Sequence, residues 1–149
     1  MFSERIRLPS LLDKVVTAAE AATLIQDGMT VGISGFGCAG DAKAVPFALV
    51  ERAQHEPLHI SLVTGASIGN GLDKQMAESG LLARRMPFQA DPTLRKAIND
   101  GKVMFIDQHL SETVEQMRSG QLKRPDVAII EAVAITEAGH IVPTASVGN

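Results

Sequence analysis

The stretch VGISGFGCAGDAKAVP, Val31 to Pro46, joins a short apolar run to three glycines, Gly35, Gly37 and Gly40. Their spacing is G-x-G-x-x-G, the lettering of a dinucleotide-binding turn. That turn demands more than glycines. Its helix begins inside the motif so that the helix N-terminus meets a pyrophosphate, and an acidic residue ends the second strand about 20 residues on. Here Pro46, suited to a first helical turn because its missing N–H costs nothing there, places the helix start several residues after Gly40. The next strand ends in Thr64-Gly65, with no acid. Asp41-Ala42 stands where a P-loop needs Lys-Ser/Thr. The stretch is therefore a strand-to-helix glycine loop of another kind. It is either a tight connection, or a backbone that approaches a ligand closely and aims N–H groups at an anion.

Outward from this loop, helices and strands alternate. Thr17-Ala-Ala-Glu20 is a capping box, and Gly28 predicts a left-handed end to the helix it opens. Met29 to Ile33 reads as a buried strand, and the helix after the loop runs to about Gln54. LHISLVT, 58–64, predicts a second strand, followed by a second glycine loop, GASIGNG, from Gly65 to Gly71. A short helix over 72–79 and a weak strand over 82–86 come next. Asp91-Pro92 starts a helix as cap and first-turn proline that stops at Gly101. VMFI, 103–106, is a strand, Ser111 caps a helix ending at Gly120, and DVAIIE, 126–131, is another strand. AITEAGHIV reads as a hairpin turning near Ala138-Gly139.

The strands are apolar throughout rather than alternating, which predicts an α/β fold: an open, mostly parallel sheet with helices on both faces. Two glycine loops at the same end of such a sheet favour a ligand site over a bare connection. HIVPTASVGN brings no closing helix or strand, so the expectation is a truncated domain over 1–149. An unpaired edge or apolar face near Val127 to Val147 then favours a homo-oligomer.

Composition narrows the function. The 149 residues suffice for one domain with a core. Hydrophobic residues are 45%, and no apolar run exceeds four residues, so the expectation is no membrane partner. MFSERIRLPS lacks the apolar centre of a secretory signal, and Cys38 is the single cysteine. Both favour a cytoplasmic protein. Net charge is −3 and Trp and Tyr are absent, which argues against a nucleic-acid partner. Cys38 has no neighbouring base to activate it. His55, His59 and His140 lack ligand spacing and are expected at the surface.

GISGFGCAGDAKAVP, SLVTGASIG, DQHLSE and VAIIEAVAITEAGHIVPTASVGN together, in this order, resemble the acetyl-CoA hydrolase/transferase family of carboxylate CoA-transferases. The resemblance covers nearly the whole chain. It implies the CoA-transferase fold, similar to ribose-5-phosphate isomerase, with this chain as most of the first of two domains. It implies that CoA moves between a short acyl-CoA and a carboxylate such as acetate or succinate. A glutamate attacks the acyl-CoA, giving an anhydride and then a glutamyl-CoA thioester, and that glutamate lies outside this chain. Coenzyme A is a co-substrate, and no tightly bound cofactor is expected. The partners implied are acyl-CoA and short carboxylates. The chain departs from the family at Gly37-Cys38, where members often show Thr before a small residue or Pro, at Asp41, which replaces Tyr or Ser, and at Ala90, where several have Thr.

On this resemblance the two loops line an acyl and carboxylate pocket, which makes Gly35, Phe36, Gly37, Gly40, Gly65, Ala66 and Ser67 candidate substrate-binding residues. Ser67 either donates to a substrate oxygen or closes its own turn. His109, after Asp107 at a strand end, either orients substrate or bonds a loop carbonyl. Glu131 sits between VAII and AVAI, where burial raises a carboxyl pKa unless a donor compensates. It is a candidate binding residue and not the nucleophile. The alternative readings are a sugar-phosphate or other anion-binding module of the same fold without CoA chemistry, and an interaction domain that has lost the chemistry. With no nucleophile paired to a base, the chain alone is expected to be inactive.

Overall fold

The computed structural model describes residues 2–148. The apolar runs become β1 (Thr30–Ile33), β2 (Ile60–Thr64), β3 (Leu82–Met86), β4 (Met104–Phe105) and β5 (Val127–Ile129). They form one parallel sheet in the order β4-β3-β2-β1-β5. Each step from β1 to β4 moves one place in the same direction. Right-handed crossovers then put α3 (Ala44–Ala53), α4 (Leu72–Glu78) and α5 (Pro92–Asn99) on one face. There Leu49, Val50, Leu72, Met76 and Leu94 join Val31, Ile33, Ile60 and Leu62 in a single core, with Ala22 of α2 (Ala18–Ala22) beside them. The step from β4 back to β5 reverses direction and carries α6 (Leu110–Ser119) to the opposite face. Thr113, Val114 and Met117 of α6 look across a cavity of about 190 Å³ at Gly32, Val63 and Ala128. The expected open parallel sheet with helices on both faces is what the chain forms.

The remaining elements flank the sheet. A short helix α1 (Phe2–Arg5) and a 3₁₀ turn (Pro9–Lys14) precede α2. β6 (Ala132–Ile135) and β7 (Ile141–Pro143) make the expected hairpin, with Gly139 at φ 82° in its turn. The N-terminal segment adds to it, as the Arg7 amide donates to the Ile135 carbonyl at 2.9 Å. No helix among the described residues is long and apolar enough to cross a membrane.

Several boundaries differ from the sequence reading, and those of α2, β5 and α6 do so for a visible local reason. The capping box forms as expected, with Thr17 and Glu20 satisfying each other's amides. However, α2 stops at Ala22 instead of running to Gly28. Thr23 turns its hydroxyl back onto the Glu20 carbonyl at 2.7 Å, and Arg52 of α3 takes the Ala22 and Ile25 carbonyls at 2.8 and 2.6 Å. β5 is shorter than 126–131, although the Asp126 amide still donates to the Thr30 carbonyl at 2.8 Å, because side chains replace ladder bonds at both ends. The Asp126 carboxylate accepts the Thr30 amide at 2.8 Å, and the Glu131 amide donates to the Ser34 hydroxyl at 3.0 Å. α6 is capped by His109 rather than Ser111, with His109 Nδ1 accepting the Ser111 amide at 3.4 Å.

One charged pair lies inside the fold. Arg85 of β3 is 0% exposed and Asp73 of α4 2%. The Arg85 Nε donates to Asp73 Oδ1 at 3.0 Å and one Nη donates to Oδ2 at 3.2 Å, a fork on a carboxylate. Removing one partner of such a pair leaves an uncompensated buried charge. Asp73→Ala is expected to cost about 3–5 kcal/mol of stability, read from urea unfolding. The double variant Asp73→Ala/Arg85→Met should recover part of that loss, because no bare charge remains.

Candidate functional site

Ligands of open α/β sheets bind outside the carboxyl ends of the strands, where the strand order reverses. Here the reversal lies at β1, which has β2 on one side and β5 on the other. The first glycine loop leaves β1, the second leaves β2, and Glu131 follows β5, so all three reach this crevice. A cleft of about 370 Å³ opens there between the start of α3 and the end of β5, lined by Ala42, Lys43, Val45, Ile130 and Glu131.

The loops are locked to each other. Gly37 donates its amide to the Ser67 carbonyl at 2.8 Å. Phe36 and Ala39 exchange amide bonds at 3.0 and 3.1 Å, closing a tight turn that leaves Phe36 and Cys38 exposed at the rim. Asn70 takes the left-handed conformation, φ 56°, which its short amide tolerates. From there it donates to Asp41 Oδ2 at 2.6 Å. In the second loop the turn is closed by the Thr64 hydroxyl donating to the Ala66 carbonyl. The Ser67 hydroxyl is not needed for that and makes no hydrogen bond among the described residues.

The glycines serve a contact that the sequence reading did not anticipate. A Cβ on Gly65 would stand 2.4 Å from the Gly148 Cα and 2.5 Å from the Gly35 carbonyl oxygen. One on Gly40 would stand 1.7 Å from the Ser146 carbonyl oxygen, and one on Gly35 would strike Asp41. The Gly35 amide donates to the Val147 carbonyl at 3.0 Å. The close approach that Gly35, Gly40 and Gly65 permit is therefore taken up by the chain's own tail and by the neighbouring loop. Phe36, Gly37, Cys38 and Ser67 form the accessible part of the cluster.

Glu131 ties the tail to the first loop. It pairs with Lys43 and accepts the Thr144 hydroxyl at 2.9 Å, while Lys43 also donates to the Asp41 carbonyl at 2.7 Å. The hydrogen bond from Lys43, then that from Thr144, hold the Glu131 carboxyl below the usual glutamate range despite partial burial. The same pairing raises Lys43. The hydrogen bonds of His109 among the described residues are local to α6. It is exposed, past the end of β4 and at the start of α6. Its ring caps α6 and contacts the Ser111 hydroxyl at 2.7 Å. His55, His59 and His140 are exposed as expected. Sequence reasoning passed over Ser34, Asn70, Asp73, Arg85 and Thr144. Only Asn70-Gly71 carried a local signal, as a turn dipeptide.

Three substitutions test this geometry. Gly65→Ala forces backbone apart and should cost about 1–3 kcal/mol, with faster amide exchange at Gly35 as the Val147 contact opens. Gly37→Ala meets nothing within 4 Å and should cost only the left-handed strain of about 1–2 kcal/mol, leaving the Gly35 amide protected. A carboxylate whose pKa is depressed in the folded state adds stability above its unfolded pKa and loses it as pH falls through the folded one. Lys43→Met should therefore raise the Glu131 pKa and shift release of the Thr144 contact to higher pH, followed by carboxyl-carbon NMR titration.

The family model of the Acetyl-CoA hydrolase/transferase N-terminal domain matches residues 5–149. The chain is 44% identical over 148 residues to a succinyl-CoA:acetate CoA-transferase of Clostridium kluyveri, covering 98% of this chain and 28% of that protein. It is 42% identical over 139 residues to a propanoyl-CoA:succinate CoA transferase of Escherichia coli, covering 90% and 28%. It is 35% identical over 162 residues to an acetyl-CoA hydrolase of Yarrowia lipolytica, covering 99% and 31%. The chain thus spans less than a third of the length of these relatives. Among solved structures, the apoenzyme of an acyl-CoA transferase from Escherichia coli O157:H7 shares the fold. Its TM-score is 0.62 at 19% identity, over 84% of this chain and 27% of that one. From residue 5 to residue 149, this chain belongs to the acetyl-CoA hydrolase/transferase family.

Proposed function

We propose that these residues are the N-terminal part of a longer cytoplasmic enzyme that moves CoA between a short-chain acyl-CoA and a carboxylate such as acetate or succinate. The observation that carries this reading is the convergence of two interlocked glycine loops at the strand-order reversal, with the Ser67 hydroxyl unspent beside them. The 44% identity to a succinyl-CoA:acetate CoA-transferase supports it. In this reaction a glutamate carboxylate outside the chain attacks the thioester carbonyl and expels CoA thiolate, leaving an acyl-glutamyl anhydride. The thiolate then attacks the glutamyl carbonyl, releasing the acyl group as a carboxylate and leaving a glutamyl-CoA thioester. The loops line the acyl and carboxylate side, and Ser67 donates to an oxygen there. Coenzyme A enters as a co-substrate and no cofactor is held tightly. Glu131 is not the nucleophile, because Lys43 and Thr144 already occupy its oxygens.

The pairing of Lys43, the one lysine in the loops, with Glu131 counts against the anion-binding alternative. Ile130 is exposed just past the edge strand β5, and Val133, Ile141 and Val142 are exposed on the β6–β7 hairpin, which supports self-association of the chain.

The full-length parent is expected to exchange CoA between acetyl-CoA and succinate or a similar acid. Absence of both exchange and thioester hydrolysis with every short acyl-CoA would overturn the assignment. The 149 residues alone are expected to be inactive, to bind CoA weakly by calorimetry and to self-associate in sedimentation. A stable monomer that binds CoA tightly would overturn the fragment reading.

A further inference from the structure

Ser67 is the one residue of the second loop whose backbone is held on both sides by a single buried ion pair. On its N-terminal side, the Ala66 carbonyl accepts an Nη of Arg85 at 3.2 Å. On its C-terminal side, the Ile68 amide donates to Asp73 Oδ2 at 3.5 Å. The carbonyl of Ser67 itself is fixed by the Gly37 amide. The other Nη of Arg85 donates to the Met86 carbonyl at 2.7 Å, which anchors the guanidinium to its own strand. The pair thus reaches from β3 and α4 to both peptide groups flanking Ser67.

We infer that Arg85 is a positioning residue: through the Ala66 carbonyl and through Asp73 it fixes the Ser67 hydroxyl at the acyl and carboxylate pocket. The inference rests on the CoA-transfer reading above. A planar guanidinium can hold a carboxylate bidentately and two carbonyls at once, whereas an ammonium is a point charge on a flexible stem. Lysine therefore keeps the charge and the partner Asp73, but cannot hold all of these acceptors together. A reacting group displaced by about 1 Å can lose about a hundredfold in rate, so the loss should appear in kcat.

The test is a cycle in the full-length parent, combining Arg85→Lys with Ser67→Ala, with Arg84→Gln as control. Arg84 is the neighbouring arginine on β3, outside the buried pair. R85K is expected to lower kcat for CoA exchange about 10- to 100-fold with KM for acyl-CoA little changed. In the S67A background the same change should cost less than about twofold, because groups acting through one another are not additive. Hydrogen exchange of the peptide carrying residues 65–71 should accelerate in R85K and stay unchanged in R84Q. Equal kcat losses in both backgrounds, or an unchanged exchange rate in R85K, would overturn the inference. If R85K fails to fold, Asp73→Asn carries the same two readouts with its shape preserved. A wild-type parent without CoA exchange would instead refute the functional reading, and the exchange rate of residues 65–71 would then decide the clamp alone.

Discussion

At Gly65 the backbones of three segments touch: the loop after β2, the Gly35 carbonyl after β1, and Gly148 in the tail. No side chain fits there, since a Cβ would lie under 3 Å from atoms of both neighbours. The constraint reaches well beyond one residue. It fixes how closely the two loops stand and where the tail returns after the β6–β7 hairpin. It thereby sets Thr144 near Glu131 and Glu131 near Lys43. The hydrogen bonds of the cluster are consequences of that approach. Side chains as short as Ser34, Asn70 and Thr144 reach their partners only because the backbones come so near.

Two ion pairs of the cluster are built alike. Arg85 is matched by Asp73 in the interior and Lys43 by Glu131 at the cleft. Each pair also binds backbone: Arg85 the Ala66 and Met86 carbonyls, Lys43 the Asp41 carbonyl. These ions thus work as cross-links between loops and strands. Buried pairs are weak sources of net stability, but a fork on a carboxylate specifies geometry. That is the more useful property beside a loop whose half-buried serine hydroxyl is unspent.

What the sequence revealed follows how local each signal is. The Thr17–Glu20 box and the Asp91 cap, whose carboxylate takes the Thr93 and Leu94 amides at 2.8 and 2.9 Å, involve neighbours within one turn. So do the left-handed glycines Gly80 and Gly120 that close α4 and α6. The apolar strands and the alternation of elements fixed the class of sheet for the same reason. The early end of α2 was not legible, because the carbonyls that end it are taken by Arg52 from the next helix. Nor was the partner of the glycines, since Ser146 to Gly148 lie far along the chain from Gly35 and Gly65. LARRM shows two arginines on alternating faces of a strand, but which one is buried depends on an aspartate in α4. His109 reads equally as a site residue and as a cap, and its ring accepts the Ser111 amide at the start of α6.

The electrostatic state of the loops limits what chemistry this chain can perform. Among the cluster residues, both cations are paired and Glu131 is engaged by two donors. What remains accessible to a ligand is a set of dipoles, the Ser67 hydroxyl and the exposed Cys38 thiol on a backbone that is held in place, while the Asp41 carboxylate is buried against Asn70. Dipoles fixed in advance stabilise developing charge without reorganising when it forms. They cannot supply the electron pair that opens a thioester, which needs an activated nucleophile. On the CoA-transfer reading, the chain therefore contributes the rigid wall against which the acyl carbonyl is held. The ionised carboxylate must come from outside it.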